Sequence, residues 1–349
     1  MPRQIKLTPS THVLRIAVFS NENNHKLGDK ALGGNNQEYI IQELKSACSE
    51  YTVKADVFPL TAKSLKEGLN ADYAIVRCAT QECCDNLIAL HKQSPLKSIF
   101  VIGAGVNDFV ALTRKNPILK EIPIIRNDNQ DIAEDMADFV LTYALMAYRD
   151  VGYYSDAKAS KKYAPLELSK KSDFPVGIMG GGNLGGAVAE KLTANGFNVS
   201  IWKRTLGKAA GLKCLYGKEQ LPEFLSKANI LINLLPLTKE TSGILKKDLF
   251  AQLPNKSIVM NLARGEHQNM QDIIEALNKG KLSLAVLDVI DEEPIPQHHA
   301  AWDNPKIILT QHTAAKTRID RACRNHIEKI LAFQQGEKIS ARVDLEQGY

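Results

Sequence analysis

Arg264, Glu293 and His312 are the residues whose types and order could do chemistry together. Arg264 follows the apolar run Ile258–Asn261 through Leu262-Ala263, and Glu293-Pro294 stands just behind Leu284–Val289 with its Asp288. His312 sits two residues past Ile307–Thr310. Ligands of open α/β sheets bind beyond the carboxyl ends of the strands, so polar residues there outrank the same types elsewhere. Taken singly, each has a plain structural explanation: a helix cap, a solvated loop acid, a satisfied half-buried imidazole. Taken together on successive strand exits, they suit reduction of a 2-oxo acid. A planar guanidinium can hold the adjacent carboxylate and carbonyl of such a substrate, a fork that lysine cannot copy. As hydride adds to the carbonyl carbon, charge grows on oxygen and calls for a proton donor and a fixed positive field. Histidine is the natural donor near neutral pH, and Glu293 is the candidate to fix its tautomer.

A second constellation supplies the hydride carrier. Gly180-Gly181-Gly182-Asn183-Leu184-Gly185 lies between an apolar strand, Val176–Met179, and a helical stretch, Gly186–Ala194. Gly180, Gly182 and Gly185 fill the three slots of Gly-x-Gly-x-x-Gly: a tight turn, a close backbone approach to pyrophosphate, and close packing of helix on strand. The helix N-terminus then offers free N–H groups and a partial positive charge to the phosphates. After the next strand stand Lys203 and Arg204, where an acid would bind a bare ribose 2′-OH. Two cations suit a 2′-phosphate, so NADP(H) is expected ahead of NAD(H).

These residues need rigid elements to position them. Strands alternate with helices along the chain, which implies parallel sheets and an α/β fold. In the first third the expected strands are Leu14–Ser20, Thr52–Val57, Tyr73–Val76, Ser98–Ile102 and Pro123–Arg126, with a helix over Gln37–Cys48 and a long loop, Asn21–Asn36. The helix Ala133–Tyr148 is apolar on nearly all sides and is expected to be buried, either between domains or in a subunit contact. Asp156–Ser172 reads as an exposed connector. Six strands follow: Val176–Met179, Val199–Trp202, Asn229–Leu235, Ile258–Asn261, Leu284–Val289 and Ile307–Thr310. They complete a doubly wound dinucleotide domain, so the last helix, Ile319–Gln335, must cover another surface, that of the N-terminal domain.

Composition bounds the alternatives. A chain of 349 residues with 44% hydrophobic and 24% charged residues suits two globular domains. No signal peptide or membrane-spanning stretch is visible, so a cytoplasmic protein is expected. The net charge of +5 is mild, and no dense basic run with aromatics points to nucleic acid. Six cysteines show no metal-ligand spacing and are expected to be reduced thiols, the adjacent Cys83-Cys84 included. The pair His298-His299 is expected to be solvated surface, and no metal is expected.

Several blocks in order make the chain recognisable: Val176–Gly185, Leu234-Leu-Pro-Leu-Thr-Lys-Glu-Thr241, Asn261-Leu-Ala-Arg-Gly265, Leu287-Asp-Val289 with Glu293-Pro294, Gln311-His-Thr-Ala-Ala315, and the closing Gln347-Gly-Tyr349. From about Phe100 onward it resembles the D-isomer-specific 2-hydroxyacid dehydrogenases, and within them the bacterial A-type glyoxylate/hydroxypyruvate reductases. The resemblance implies two doubly wound domains. A flavodoxin-like substrate/catalytic domain, residues 1–127 and 315–349, carries an inserted Rossmann NADP-binding domain, residues 128–314, with a cleft that closes around substrate. By resemblance Arg264 binds and polarises the substrate, His312 is the acid/base and Glu293 its partner. The loop Gly103-Ala104-Gly105-Val106 matches the one whose N–H groups hold the substrate carboxylate. The cofactor set is Gly180, Gly182, Asn183, Leu184, Gly185, Lys203, Arg204, Thr205, Leu235, Pro236, Thr241, Leu262, Ala263 and Asp288, the last at the nicotinamide end. A homodimer is implied, with the helix near Ala133–Tyr148 in the contact. The segment before about Pro95 departs from the pattern, as does Arg77-Cys78-Ala79-Thr80, at a strand end that would border the substrate side chain.

Two other readings stand beside NADPH-dependent reduction of small 2-oxo acids such as glyoxylate and hydroxypyruvate. One is NAD-dependent oxidation of another D-2-hydroxy acid, against which Lys203-Arg204 speaks. The other is a catalytically idle, dinucleotide-sensing interaction protein, which would need the glycine turn but not Arg264, Glu293 and His312.

Overall fold

A computed structural model of the chain describes residues 13–20, 36–103, 105–128, 130–167, 170–204, 213–346 and 348. The elements in chain order are β1 (Leu14–Phe19), α1 (Asn36–Glu50), β2 (Ala55–Pro59), α2 (Ala62–Lys66), β3 (Tyr73–Val76), α3 (Gln81–Gln93), β4 (Ser98–Val101), α4 (Asn107–Thr113), α5 (Pro117–Lys120) and β5 (Ile124–Arg126). There follow α6 (Gln130–Tyr148), α7 (Val151–Ala159), β6 (Val176–Met179), α8 (Asn183–Ala194), β7 (Val199–Lys203), β8 (Lys213–Tyr216), α9 (Leu221–Leu225) and β9 (Ile230–Asn233). The chain closes with α10 (Lys247–Phe250), β10 (Ser257–Asn261), α11 (Met270–Asn278), β11 (Leu282–Leu287), β12 (Ile307–Leu309) and α12 (Ile319–Gln334). It divides into two compact units, Met1–Asn129 with Thr317–Tyr349, and Gln130–Lys316.

The first unit is built on a five-stranded parallel sheet of order β2-β1-β3-β4-β5. Its inner strands β3 and β4 are buried at every residue, as strands covered on both faces are. On β1, Leu14, Ile16 and Val18 enter one core while Ala17 and Phe19 enter the other. The closing helix α12 belongs to this unit, as its position after a complete sheet required: Ile319, Cys323, Ile327 and Ile330 pack with Ile40 and Leu44 of α1. His326 of α12, fully buried, donates from Nε2 to the carbonyl of Val101 at 3.0 Å. The strand expected over Thr52–Val57 lies further on, because the α1 helix ends in a turn that places Thr52 at φ 57°. β2 then runs on to Pro59, tolerated there because β2 is the sheet edge. On α3, burial raises the thiols of Cys83 and Cys84 above the ordinary cysteine range, which leaves this pair as packing groups.

The second unit carries a seven-stranded parallel sheet of order β12-β11-β10-β9-β6-β7-β8. The chain order reverses between β6 and β9, which makes their carboxyl ends the switch point where doubly wound sheets hold nucleotides. Six strands were expected. The seventh, β8, is a four-residue edge strand that opens on an exposed Lys213 and buries only Leu215, too little to give an apolar run. α7 occupies the first part of the expected connector. It buries none of its residues, so no amphipathic pattern marked it. On α6, Ile132, Ala133, Met136, Ala137, Val140 and Ala144 are buried, and Phe139, Tyr143 and Leu145 are half-buried against the same core. The loop Asn21–Asn36 lies, but for Asn36, outside the described residues, as do Ala104, Thr205, Gln347 and Tyr349.

Candidate active site

The glycine turn leaves β6 at the switch point with each glycine in a distinct setting. Gly180 has φ 108°, and a Cβ there would lie 2.7 Å from the carbonyl oxygen of Leu234, at the exit of β9. A Cβ on Gly185 would meet the carbonyl oxygen of Gly180 at 1.9 Å, so helix and turn touch through bare backbone. Gly182 has nothing within 4 Å of its Cβ position. It is the N-cap of α8 and no side chain caps that helix, so first-turn N–H groups at Asn183, Leu184 and Gly185 face an open space. A pyrophosphate fits this cradle in charge and size. Asn183 is exposed, and Leu184 is half-buried against the core.

The adenosine end of such a ligand would meet β7. Lys203 closes that strand with its ammonium 6.0 Å from the centre of the Tyr216 ring, and Arg204 is exposed just beyond it. Hydrogen bonds from Thr238 and its own backbone hold the Glu240 carboxyl below the usual range, and the charges of Arg204 and Lys218 add to this. Three cations, Lys203, Arg204 and Lys218, thus surround this corner. Lys218 had no signal in the sequence because it follows β8 at a distance no motif fixes.

The loop leaving β9 holds Leu235 buried, so only its main chain is open to a ligand. Thr241 donates from Oγ1 to the Pro236 carbonyl at 2.7 Å and accepts from the amide of Thr238 at 2.8 Å, which folds the loop onto itself. Leu262 is likewise buried, while Ala263 and Arg264 are partly exposed at the exit of β10. The Arg264 guanidinium donates from Nη1 to the Ala263 carbonyl at 2.6 Å. Gly265 lets this loop lie directly on the exit of β11, because a Cβ there would fall 2.0 Å from the carbonyl carbon of Ile290.

His312 and Glu293, expected from the sequence to work as a pair, stand side by side. His312 Nδ1 stands 2.8 Å from Glu293 Oε2. An ionised carboxylate can only accept, which assigns the Nδ1 proton to this bond and leaves Nε2 for a substrate. Burial pushes the Glu293 carboxyl up. The hydrogen bond and charge of His312, the amide of Ile290 at 3.2 Å and the charge of Arg264 outweigh that, and the carboxyl is held below the usual range. That Arg264 charge ties the third member electrostatically to the pair.

Asp288 has a role that the motif did not reveal. It is buried, and its Oδ1 accepts from Thr310 Oγ1 and the Thr313 amide, both at 2.7 Å, while Oδ2 accepts from the Ala314 amide at 3.0 Å. Gln311 and His312 between these anchors have φ 56° and 57°, a left-handed conformation that side-chain-bearing residues seldom adopt. Asp288 therefore holds the histidine's loop; contact with a nicotinamide is a further role for which the resemblance alone speaks.

Four buried polar residues also escaped the sequence reading: Asn233, Asn261, His267 and Gln268. The signal was an asparagine closing an apolar strand, twice, at positions that pair across the sheet. His267 lies between two carbonyls, with Nδ1 3.1 Å from that of Arg264 and Nε2 3.3 Å from that of Pro236. Burial lowers its pKa below the ordinary histidine value and the charge of Arg264 adds to this, against the pull of the two carbonyls.

In the first unit, Gly103 accepts the amide of Asn127 at 3.3 Å, Gly105 is exposed, and the Val106 side chain is buried at the head of α4. Only main-chain groups of Gly105 and Val106 are therefore open to an anion. Among the described residues no cluster of His, Cys, Asp and Glu could hold a metal ion, and no helix is long and apolar enough to cross a membrane.

The chain is similar to known dehydrogenases and reductases. The family model for the NAD binding domain of D-isomer specific 2-hydroxyacid dehydrogenases matches residues 141–314. A glyoxylate/hydroxypyruvate reductase A of Klebsiella pneumoniae (strain 342) is 38% identical over 256 residues, covering 73% of this chain and 82% of that one. A D-isomer specific 2-hydroxyacid dehydrogenase from Xanthobacter autotrophicus Py2, solved with NADPH and MES, superposes with a TM-score of 0.81 at 28% identity, over 97% of this chain and 100% of that one. An NADPH-dependent glyoxylate/hydroxypyruvate reductase from Sinorhizobium meliloti, solved with NADP and sulfate, gives 0.78 at 28% identity, over 96% and 100%.

Proposed function

The chain belongs to the D-isomer specific 2-hydroxyacid dehydrogenases, and from that premise we propose that it reduces small 2-oxo acids, glyoxylate to glycolate and hydroxypyruvate to D-glycerate, with NADPH. The observation that carries this reading is the His312–Glu293 pair, 2.8 Å apart and within the field of Arg264, in the domain that holds the glycine cradle. When bound, the reduced nicotinamide supplies the hydride for the carbonyl carbon. Everything else falls to the chain's own residues.

Arg264 binds the substrate's carboxylate and carbonyl through its planar fork and stabilises the oxygen as its charge grows. In its imidazolium form His312 gives the Nε2 proton to that oxygen and becomes neutral. Glu293 keeps the other ring nitrogen protonated throughout and lowers the cost of the imidazolium form. Main-chain N–H groups of the Gly103–Val106 loop are the proposed carboxylate donors in the first unit. Lys203, Arg204 and Lys218 offer the positive charge that a 2′-phosphate needs, and this favours NADPH over NADH.

The test is NADPH consumption by the purified chain with glyoxylate, hydroxypyruvate, phenylpyruvate and 2-oxoisovalerate, repeated with NADH. Turnover confined to NADPH and the two small acids is expected. Tight NADPH binding with no oxidation across the panel would establish the sensing protein instead. Faster turnover with NADH would establish the NAD-linked reading.

The chain is also proposed to form a homodimer through α6, where the rings of Phe139 and Tyr143 lie 4.7 Å apart. Sedimentation should give twice the chain mass, and Phe139→Glu should return the monomer. A parent chain that sediments as a monomer sinks this assignment.

A further inference from the structure

Three buried side-chain amides join the loops that carry the proposed chemistry. Asn233 at the end of β9 accepts the amide of Leu235 on Oδ1 at 3.3 Å and donates from Nδ2 to Asn261 Oδ1 at 3.0 Å. Asn261, at the end of β10, also accepts the Ala263 amide at 3.3 Å. From Nδ2 it donates both to the carbonyl of Arg264 at 2.9 Å and to Gln268 Oε1 at 2.8 Å. Gln268 completes the chain by donating from Nε2 to the carbonyl of Val289 at 3.1 Å.

The two ends of this chain are main-chain groups of fixed polarity, a donor at Leu235 and an acceptor at Val289. They dictate the orientation of all three amides, since flipping any one would set two donors or two acceptors face to face. Buried networks of this kind are rigid only when every member is satisfied. Asn261 uses both amide hydrogens and both oxygen lone pairs on four partners.

Resting on the reading of Arg264 given above, we infer that Asn261, with Asn233 and Gln268, is a positioning residue for the reaction. The amide chain fixes the arginine loop against two others, the cofactor loop that begins at Leu235 and the loop from Val289 to Glu293. Asn261 touches Arg264 only through its main chain, so its effect on rate passes through where the guanidinium stands. A misplacement of about 1 Å costs on the order of 100-fold in rate.

The test is a double-mutant cycle on kcat/KM for glyoxylate at saturating NADPH. Asn261→Asp keeps the shape but replaces the donor that serves Arg264 and Gln268. In the parent background it is expected to lower kcat/KM by about 10- to 100-fold. In the Arg264→Ala background the same substitution is expected to cost less than about threefold, because the group it positions is gone. Gln268→Met, similar in volume, repeats the cycle from the other end of the chain should Asn261→Asp fail to fold. Equal losses in both backgrounds mean general structural damage and overturn the inference, as does no loss in either. A parent chain that reduces no 2-oxo acid overturns the functional reading and this one together, whereas an active parent with additive losses overturns this one alone.

Discussion

Asp288 holds His312 through the main chain: its carbonyl accepts the His312 amide at 2.5 Å, and its carboxylate takes the next two amides, of Thr313 and Ala314. The left-handed backbone at Gln311 and His312 costs about 1–3 kcal/mol per residue and persists only where the surroundings over-determine it. Asp288→Asn leaves one oxygen where there were two and turns an NH2 group toward main-chain amides. The expected result is a fall in kcat of about 10²-fold, from a histidine no longer held in place. Comparing kcat with the fraction folded separates this from unfolding, and an unchanged kcat in a folded variant contradicts it.

Glu293→Gln keeps the shape of the pair and removes its charge. kcat should fall by about 10²-fold, the lower end of what general acid–base groups contribute. Stability changes with a definite sign. The Glu293 carboxyl sits lower in the folded chain than in the unfolded one. The pair therefore stabilises fully above the ordinary glutamate range, and this is lost as pH falls through the lowered folded value. The unfolding free energies of parent and Glu293→Gln should differ most near neutral pH and converge in acid. A difference that stays constant with pH would contradict the assignment.

Arg204→Glu should weaken NADPH far more than NADH. A charge-assisted hydrogen bond contributes about 1.5–3 kcal/mol, so the KM for NADPH is expected to rise by ten- to a hundredfold or more. The KM for NADH should stay level or improve, since an acid there can accept from a ribose hydroxyl. Parallel changes for both cofactors would show that Arg204 is a solvated strand end.

Gly265→Ala tests the backbone contact beneath Arg264. Its Cβ would fall 2.0 Å from the Ile290 carbonyl carbon and 2.2 Å from the Asp291 amide nitrogen, so one loop must move. Overpacking of this kind costs about 1–3 kcal/mol, and the moved loop carries either Arg264 or the approach to Glu293. Both the thermal midpoint and kcat/KM should drop. A variant with parent activity would mean that the contact has no bearing on the site.

His326 gives the first unit an acid limit of its own. Complete burial, with the charge of Lys329 adding, pushes its pKa from 6.5 down to about 3. The unfolded chain takes up the proton first as pH falls. Stability is therefore full above about 6.5 and is lost toward 3, by up to roughly 4–5 kcal/mol. His326→Gln should flatten the dependence of unfolding free energy on pH in that window. Equal slopes for the two proteins would contradict it.

The fold was largely legible because parallel strands covered on both faces are nearly unbroken apolar runs, such as Val176–Met179 and Ile230–Asn233. β8 and α7 were not legible, since neither buries a full face and so neither imposes a period. At the site, strand-exit position picked out Arg264, Glu293 and His312. The same logic missed Asn261 and Gln268, whose work is done by hydrogen bonds to main-chain groups from distant parts of the sequence. Asp288 was found by position, yet its donors lie beyond another strand, where no local pattern reveals them.

The most direct measurement is kcat/KM for glyoxylate with NADPH, taken side by side on the parent chain and on Arg264→Ala. The expected result is a parent that consumes NADPH and a variant reduced by about 10²-fold or more, the loss of a group that both binds substrate and stabilises its developing charge. Equal values for the two proteins, or a parent that consumes no NADPH with any 2-oxo acid, would contradict it.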